Sequence, residues 1–301
     1  LSTYSKYIKN YTVLPIYGGT KVNAQIKSLK QNPKIIVCTP GRLNDLIRRR
    51  RVDFSLVKYF VLDEADEMLS MGFKSEIDRV LAEVPLDRKI YLFSATLSEK
   101  VKKITKAYMQ KPLVIATSSA NKGADTVKHI YYTSNKNKRY DIIRNIIDLH
   151  KDIYTIVFCR TRRETKDISA NLIRDNYKAK VLNGDLSQSE RDEVMDQFRK
   201  KYINILVATD VASRGIDVDN LSHIINYNLP DDPEVYVHRS GRTGRAGKEG
   251  VSIVFISKRE IPRLKEIEKL SKISFTQKQI PTDSDVFKSQ ISSFSDKIVE
   301  A

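Results

Sequence analysis

The sequence of 301 residues has few cysteines, no long hydrophobic run and no glycine-rich phosphate loop. Its two cysteines, Cys38 and Cys159, lie far apart and form neither a disulfide framework nor the spacing of a metal site. We therefore expect buried, reduced thiols. No apolar stretch is long enough to span a membrane, and the first residues show no signal-peptide pattern. These absences predict a cytoplasmic protein with no membrane partner.

The motif Gly-x-x-x-x-Gly-Lys-Ser/Thr, whose backbone amides wrap a phosphate, does not occur in the sequence. The segment Gly-Gly-Thr-Lys at 18–21 resembles the end of that motif. It lacks the leading glycine and the spacing that the amides need to enclose a phosphate. We therefore do not interpret this segment as a phosphate loop.

Positive charge is in excess, because 53 Lys and Arg residues stand against 37 Asp and Glu residues, for a net charge of +16. Both halves of the chain are basic, which favours a polyanionic partner such as nucleic acid. A basic, well-solvated surface without such a partner would give the same net charge. With 41% hydrophobic and 30% charged residues, the composition is that of a globular protein.

Short apolar runs alternate with helical patterns along both halves of the chain, and this alternation predicts parallel sheets covered by helices. The small, polar stretch at 117–126 separates the halves and predicts an interdomain linker. We expect a last short strand of the first half at 113–116. The residues from 277 onward are serine-rich and weakly patterned, so we expect them to pack loosely.

One apolar run ends abruptly in acids. The run Tyr59–Leu62 predicts a strand buried on both faces of a parallel sheet. Asp63, Glu64 and Asp66 follow it at the carboxyl end, where open α/β sheets bind nucleotides. The first acid is suited to holding Mg²⁺ and the second to orienting or deprotonating a water molecule. A solvated helix start, which also favours acids, is the alternative.

Six short motifs occur in a fixed order along the chain. They are Gly-Gly at 18–19, Thr-Pro-Gly-Arg at 39–42, Asp-Glu-Ala-Asp at 63–66, Ser-Ala-Thr at 94–96, Ala-Thr-Asp-Val-Ala-Ser-Arg-Gly-Ile-Asp at 208–217 and His-Arg-Ser-Gly-Arg-Thr-Gly-Arg at 238–245. Each motif alone is weak. The ordered set resembles the DEAD-box RNA helicases of superfamily 2, of the bacterial general type, from about residue 1 to residue 270.

The resemblance implies an α/β fold with two tandem RecA-like domains, each a parallel sheet flanked by helices. Residues 1–117 would be the later part of domain 1, 118–126 the linker, 127–272 domain 2 and 273–301 a tail. In that family the adenine-binding motif, the phosphate loop and a Pro-Thr-Arg-Glu-Leu segment lie upstream of the first residue here. The resemblance therefore predicts an N-terminally truncated fragment with an incomplete first sheet, inactive by itself.

The resemblance also implies roles for the residues of the first domain. Asp63 would hold Mg²⁺, and Glu64 would position and activate the water that attacks ATP. Asp66 would tie the acidic loop to its neighbours. Ser94 and Thr96 would couple that loop to the other domain. A simple strand-to-helix turn is the alternative for Ser-Ala-Thr.

In the second domain, Arg242 and Arg245 would act as arginine fingers that neutralise charge on the γ-phosphate. His238, and with it Arg239, would bridge to the loops of the first domain. Asp210 matches the family residue that touches the ribose of ATP. The implied cofactors are ATP and Mg²⁺. A basic turn on a solvated face is the alternative for the arginine segment.

Eight positions match family contacts to the RNA backbone: Gly19, Thr39, Arg42, Arg160, Thr161, Gly184, Thr209 and Gly215. Glycine amides, hydroxyls and guanidinium groups suit phosphates and the 2′-hydroxyl, so we expect little sequence preference. The arginine run at 48–51 is interpreted as a solvated face at the end of a helix.

The leading hypothesis is a monomeric ATP-dependent RNA helicase that separates short duplexes locally. A non-hydrolytic RNA-binding or annealing module is the second hypothesis, because the chain lacks the phosphate loop. A DNA helicase of the same superfamily is a third hypothesis, which the spelling of the motifs disfavours.

Overall fold

The computed structural model describes residues 1–8, 11–116, 126–213, 218, 220–245 and 247–300, the last eight as backbone only. These residues form two compact units, Leu1–Ala120 (unit 1) and Asn121–Ala301 (unit 2). The predicted linker at 118–126 lies outside the described residues except for Thr126, so its limits stay a prediction.

Within its described residues, unit 1 has four strands in two separate parallel pairs. Strand β1 (Val13–Ile16) pairs with β2 (Ile35–Cys38), and β3 (Tyr59–Leu62) pairs with β4 (Lys89–Leu92). The helices of unit 1 are α1 (Ser2–Ser5), α2 (Val22–Leu29), α3 (Pro40–Arg48), α4 (Ala65–Ser70), α5 (Lys74–Glu83) and α6 (Glu99–Tyr108). The predicted alternation of strands and helices is confirmed.

The strand that precedes the acids is buried on one face only. Leu62 packs into a cluster with residues of α4, α5 and α6, such as Ile77 and Val101. On the opposite face Tyr59 is 61% exposed and Val61 is 55% exposed. The prediction of a strand buried on both faces was therefore wrong, because the helices pack against the Leu62 face.

Residues 113–116 do not form the predicted strand. Leu113, Val114 and Ile115 are exposed, and no described strand pairs with them. An apolar run predicts a strand only where a neighbouring backbone can accept and donate its hydrogen bonds. The segment lacks that neighbour in the described part of unit 1.

Unit 2 is built on one seven-stranded parallel sheet with the order β11-β5-β10-β9-β6-β8-β7. Its strands are β5 (Val127–Thr133), β6 (Thr155–Cys159), β7 (Ala179–Leu182), β8 (Ile205–Thr209), β9 (His223–Asn226), β10 (Gly250–Ile256) and β11 (Phe275–Gln277). The α-helices are α7 (Arg139–Leu149), α8 (Arg162–Arg174), α9 (Gln188–Arg199), α10 (Asp210–Ser213), α11 (Pro233–Ser240), α12 (Ile261–Ser271) and α13 (Asp283–Glu300). None of the helices in the described ranges is both long and apolar enough to cross a bilayer.

Helices cover both faces of this sheet, because successive residues of a strand point to opposite sides. In β6, Val157 packs in one cluster with Ile146 of α7 and Leu172 of α8. Its neighbour Ile156 packs in another cluster with Phe198 of α9. All five residues of β6 are buried. Unit 2 therefore has the predicted architecture of a parallel sheet between helical layers.

The segment predicted as a tail at 273–301 contains strand β11 and helix α13. Strand β11 pairs with β5, whose outer hydrogen-bonding groups would otherwise form an open sheet edge. Asn145 of α7 donates from Nδ2 to the carbonyl oxygen of Pro281 at 2.9 Å, and Val286 of α13 is buried. The weak apolar pattern hid this segment because few of its side chains contribute to the core.

Both cysteines are free thiols. Cys159 is buried at the end of β6, as expected. Cys38 at the end of β2 is exposed, so the expectation of burial was wrong for this residue. The last two residues of β2 are both exposed, so the exposure at this end of the strand is not confined to one face.

Two buried histidines make unit 2 sensitive to acid. The Nδ1 atom of His129 lies 2.6 Å from the hydroxyl oxygen of Tyr236, and burial lowers the pKa of His129 to about 4. Burial and the neighbouring His150 likewise lower the pKa of His223 to about 4. An unfolded histidine binds its proton near pH 6.5. Unit 2 should therefore lose stability as the pH falls from about 6.5 towards 4, because the unfolded chain binds more protons there.

His129→Phe should reduce this acid sensitivity. We expect the melting temperature of the variant to fall less between about pH 7 and pH 5 than that of the native chain, because one titrating group is gone. Tyr236→Phe is the matched control, since it removes the same hydrogen bond but keeps the imidazole. Thermal unfolding at both pH values measures the effect. An equal fall of the melting temperature in His129→Phe and in the native chain would contradict the role of His129.

Candidate functional site

Asp63 and Glu64 directly follow the carboxyl end of β3, and both side chains are exposed. The backbone of Glu64 is left-handed, with φ 50° and ψ 48°, which costs a non-glycine residue roughly 1 kcal/mol. Asp63 Oδ1 accepts the N–H of Glu64 at 3.0 Å. The carbonyl oxygen of Phe93 accepts the N–H of Ala65 at 3.0 Å. Hydrogen bonds therefore hold this turn on both sides of the strained residue.

A buried carboxylate fixes the acidic loop to the loop after β4. Asp66 Oδ2 accepts hydrogen bonds from the backbone N–H and the hydroxyl of Thr96, each at 2.8 Å. Asp66 Oδ1 accepts the N–H of Glu67 at 3.0 Å. Ser94 Oγ donates to the carbonyl oxygen of Thr96 at 2.7 Å. Three residues predicted to couple the site thus lie in one network within unit 1.

A second cluster in unit 1 forms around Arg42 of α3. Its Nη1 and Nη2 atoms donate to the carbonyl oxygen of Thr20 at 3.2 and 3.1 Å, and Nη1 donates to Gln25 Oε1 at 2.8 Å. Gly19, with φ +81°, forms the turn before Thr20. Thr39 caps no helical N–H group with its side chain. The guanidinium of Arg42 thus lies against the turn that contains Gly19, and both residues were predicted to contact RNA.

In unit 2, four residues predicted to contact RNA lie at the carboxyl ends of neighbouring strands. Strands β6, β8 and β7 are adjacent in the sheet. Arg160 and Thr161 directly follow β6, Thr209 ends β8, and Gly184 lies two residues beyond β7. Parallel pairing therefore brings these positions to one edge. Gly215 lies outside the described residues.

The start of α8 fixes the loop after β6. Thr161 Oγ1 accepts the N–H of Glu164 at 3.1 Å, and Glu164 Oε2 accepts the N–H of Thr161 at 3.3 Å, which is a capping box. Arg162 Nη1 lies 3.0 Å from Asp185 Oδ1. A Cβ atom at Gly184 would lie 3.0 Å from Arg162 Nη2. These contacts join the loops that follow β6 and β7.

The guanidinium of Arg239 in α11 holds Asp210. Arg239 is 5% exposed. Its Nε and Nη2 atoms donate to the two carboxylate oxygens of Asp210 at 2.6 and 2.7 Å. Its Nη1 atom donates to Asn226 Oδ1 at 2.9 Å. We expected Arg239 to face the first domain, but its N–H groups are directed to acceptors inside unit 2.

The residues that position these groups were not predicted from the sequence. Asn228 Oδ1 accepts the N–H of Arg160 at 3.0 Å, and the carbonyl oxygen of Asn228 accepts from Arg239 at 3.4 Å. Asn226 and Gln25 are the other unpredicted partners. A signal was available, since amide side chains within or beside apolar strands, or on a buried helix face, need hydrogen-bond partners.

The arginine segment follows α11. Arg245 Nε donates to the carbonyl oxygen of Gly241 at 2.9 Å. Gly244 has φ +68°, and a Cβ atom there would lie 2.6 Å from a side-chain carbon of β5, so this position requires glycine. Arg242, Arg245 and His238 are half-buried. The glycines therefore set the backbone path on which the two arginines stand.

Two protein-family models match this chain. "DEAD/DEAH box helicase" matches residues 1–104, and "Helicase conserved C-terminal domain" matches residues 138–247. The crystal structure of a DEAD box protein from Methanococcus jannaschii is 42% identical, with 90% of this chain and 73% of that chain covered and a TM-score of 0.51. The chain belongs to the DEAD-box helicase family. The predicted resemblance is confirmed.

Other members of the DEAD-box family are similar over most of this chain. The ATP-dependent RNA helicase CshA of Limosilactobacillus reuteri is 43% identical over 285 residues, which are 95% of this chain and 57% of the relative. The chain therefore spans little more than half the length of the curated relatives it matches. A variant of Saccharomyces cerevisiae Dbp5 bound to RNA and ADP BeF3 is 32% identical, with 96% of this chain and 75% of that chain covered and a TM-score of 0.84. The expected fold of RecA-like domains is confirmed.

Arg239→Ala should destabilise unit 2, because it removes the guanidinium partner of the Asp210 carboxylate and of the buried amide oxygen of Asn226. We expect the free energy of unfolding of unit 2 to fall by about 3 kcal/mol. This is the lower end of the cost of breaking a buried ion pair, because Asp210 is partly exposed. Arg259→Ala, which removes an exposed arginine from the same unit, is the control. Hydrogen exchange of the amides of β8 and β9 in denaturant measures the change. A loss no larger than that of the control would contradict this assignment.

Proposed function

We propose that the whole protein is an ATP-dependent RNA helicase that separates short RNA duplexes locally and couples this to ATP hydrolysis. The observation that carries the proposal is the exposed pair Asp63 and Glu64, on a loop held by the buried bonds between Asp66 and Thr96. The chain belongs to the DEAD-box family, and its relative from Limosilactobacillus reuteri is named an ATP-dependent RNA helicase.

Asp63 is proposed to hold Mg²⁺. Its carboxylate suits this ion, because it is exposed and supplies hard oxygen ligands. Oδ1 accepts one backbone N–H, and in the described part of the chain no hydrogen bond reaches Oδ2. Mg²⁺ commonly binds one or two carboxylates together with waters and phosphates. When bound, the ion would neutralise charge on the phosphates of ATP.

Glu64 is proposed to position and deprotonate the attacking water. Its carboxylate is exposed beside Asp63, and the left-handed backbone turns the chain sharply at this residue. A general base must reach the water in the ATP-bound state, and such a group typically contributes about 10²–10⁴ in rate. The hydrogen bonds around this turn support the role, since they restrict where the carboxylate can lie.

The residues of unit 2 are proposed to act on the same ATP molecule. Arg242 and Arg245 would neutralise the charge that develops on the γ-phosphate. Asp210 would contact the ribose, and its bidentate bonds to Arg239 hold the carboxylate in one orientation. Both carboxylate oxygens keep a lone pair for a ribose hydroxyl. We propose that Ser94, Thr96 and His238 couple ATP hydrolysis to RNA release.

RNA is the proposed substrate, and its backbone the part that is recognised. The groups that would contact it are Gly19, Thr39, Arg42, Arg160, Thr161, Gly184, Thr209 and Gly215. Amides, hydroxyls and guanidinium groups recognise phosphates and 2′-hydroxyls without reading bases. We therefore propose little sequence preference. A monomer in the cytoplasm without a membrane partner completes the proposal.

A non-hydrolytic RNA-binding or annealing activity is the second candidate for the residues described here. It is supported by one observation, the absence of a phosphate-loop motif from the 301 residues. A DNA helicase is a third candidate. An assay that measures ATP turnover with RNA, with DNA and without nucleic acid distinguishes the three candidate functions.

ATPase activity of the whole protein with single-stranded RNA, with DNA of the same sequence and without nucleic acid tests the proposed function. RNA should stimulate turnover and DNA should not. In the same assay Glu64→Gln should lower turnover by about 10²-fold or more, because it removes the proposed base. RNA affinity in the presence of ATP should persist, because the Mg²⁺ ligand Asp63 is unchanged.

Glu99→Gln is the matched control, since it removes one exposed acid elsewhere in unit 1. Absence of RNA stimulation in the native protein would refute the helicase. Loss of ATP-dependent RNA binding together with turnover in Glu64→Gln would refute only the role of Glu64.

Arg245→Ala should separate chemistry from nucleotide binding. We expect turnover to fall by about 10³-fold, as for other arginine fingers, because charge on the γ-phosphate is no longer neutralised. ATP affinity in the absence of RNA should change little. Lys248→Ala is the control, since it removes a nearby exposed cation that contacts Asn220. Equal losses of turnover and ATP affinity in Arg245→Ala would contradict the finger role.

A further inference from the structure

Two arginines of unit 2 converge on one exposed carboxylate oxygen. Arg160 Nη2 lies 2.9 Å from Asp231 Oδ1, and Arg263 Nη1 lies 3.0 Å from the same oxygen. Arg263 also donates from Nη2 to the carbonyl oxygen of Asp231. Arg160 directly follows β6, whereas Arg263 lies in α12. Asp231 therefore holds two guanidinium groups from separate elements side by side, and we call Arg160 and Arg263 the arginine pair.

Arg160 has hydrogen-bond donors that no described residue uses. Arg160 uses Nη2 for Asp231 and for the carbonyl oxygen of Leu229 at 3.1 Å. Among the described residues, nothing accepts a hydrogen bond from its Nε or Nη1. The side chains of Arg160, Arg263 and Asp231 are 51%, 38% and 68% exposed. An anion from solvent can thus reach both guanidinium groups without any rearrangement of the core.

The arginine pair carries two positive charges and contacts one carboxylate, that of Asp231. The neighbouring cations each have their own acid: Lys136 lies 2.7 Å from Glu164, and Arg139 lies 3.7 Å from Glu260. The two guanidinium groups of the pair share one carboxylate. Because guanidinium groups bind carboxylates and phosphates with similar geometry, a phosphate oxygen can take the place that Asp231 occupies.

We propose that the arginine pair binds a backbone phosphate of RNA and that Asp231 competes with this phosphate. The inference rests on the proposed RNA-binding function and extends it in two ways. It adds Arg263 to the RNA contacts, which carries the phosphate path from the sheet edge onto α12. It also gives Asp231 a definite function, which is to lower the affinity of the pair for RNA so that bound RNA can leave.

Asp231→Asn tests the competition, because it removes the charge and keeps the size of the side chain. The probe is a fluorescein-labelled single-stranded 12-nucleotide oligouridylate, and its binding to the 301-residue chain is followed by anisotropy over a range of KCl concentrations. We expect affinity to rise about three- to tenfold at low salt, as one further phosphate contact forms. The slope of log K against log salt should steepen by about 0.7, the value for one added contact on a single strand.

Asp196→Asn is the matched control. It removes another exposed acid, one in α9 that pairs with Lys200 at 2.7 Å, and changes net charge by the same amount. The slope distinguishes a phosphate contact from a general change of charge or of folding. Circular dichroism shows whether each variant is folded.

In the Asp231→Asn background, Arg263→Ala should weaken binding and make the salt slope shallower by about 0.7. In the double variant Asp231→Asn/Arg263→Ala, the gain from Asp231→Asn should shrink, because one member of the pair is missing. If Asp231→Asn binds no more tightly than Asp196→Asn while the native chain binds RNA, the competition is refuted and RNA binding stands. If the folded native chain does not bind the oligonucleotide at all, RNA binding by these 301 residues is refuted, and with it the proposal for the arginine pair.

Discussion

Every strand pairing in the described residues is parallel, and this constraint decides where the reactive side chains lie. Neighbouring parallel strands end at the same edge of a sheet, so the loops that follow them lie side by side. In unit 1 the acidic loop and the loop at 94–96 follow the paired strands β3 and β4. In unit 2 the loops after β6, β8 and β7 meet in the same way. Each connection must return along the sheet, which is why helices separate the strands.

Buried polar bonds then fix these loops in place. The carboxylate of Asp66 joins two loops of unit 1, and the guanidinium of Arg239 joins Asp210 to Asn226 in unit 2. The bonds of Asp66 to Thr96 and of Arg239 to Asn226 are buried, so an unpaired partner there would be costly. Such networks restrict the exposed groups beside them, among them Asp63, while leaving those groups open to a ligand. The buried hydrogen bonds therefore hold the loops in place, while the side chains at the surface of those loops stay exposed.

The sequence was less informative about which surfaces are covered. The apolar run of β3 predicts burial on both faces, yet only the Leu62 face receives helices. The run at 113–116 looks like a strand but has no described partner. No strand was predicted in the tail at 273–301, yet β11 completes an edge of the sheet beside β5. In all three cases the outcome depends on neighbours that are distant in sequence, and local composition carries no information about them.

The sequence by itself determined the chemistry and its order: the acids after an apolar strand, the Ser-Ala-Thr turn, and the arginines spaced by glycines. These are local patterns, since a strand, a turn and a positive φ depend on a few consecutive residues. Only the tertiary structure decided the partners, such as Gln25 with Arg42, Asn228 with Arg160, and Asp231 between its two arginines. Those contacts join residues between 17 and 71 positions apart. Their formation depends on which loops share an edge, and that is settled by strand order and packing.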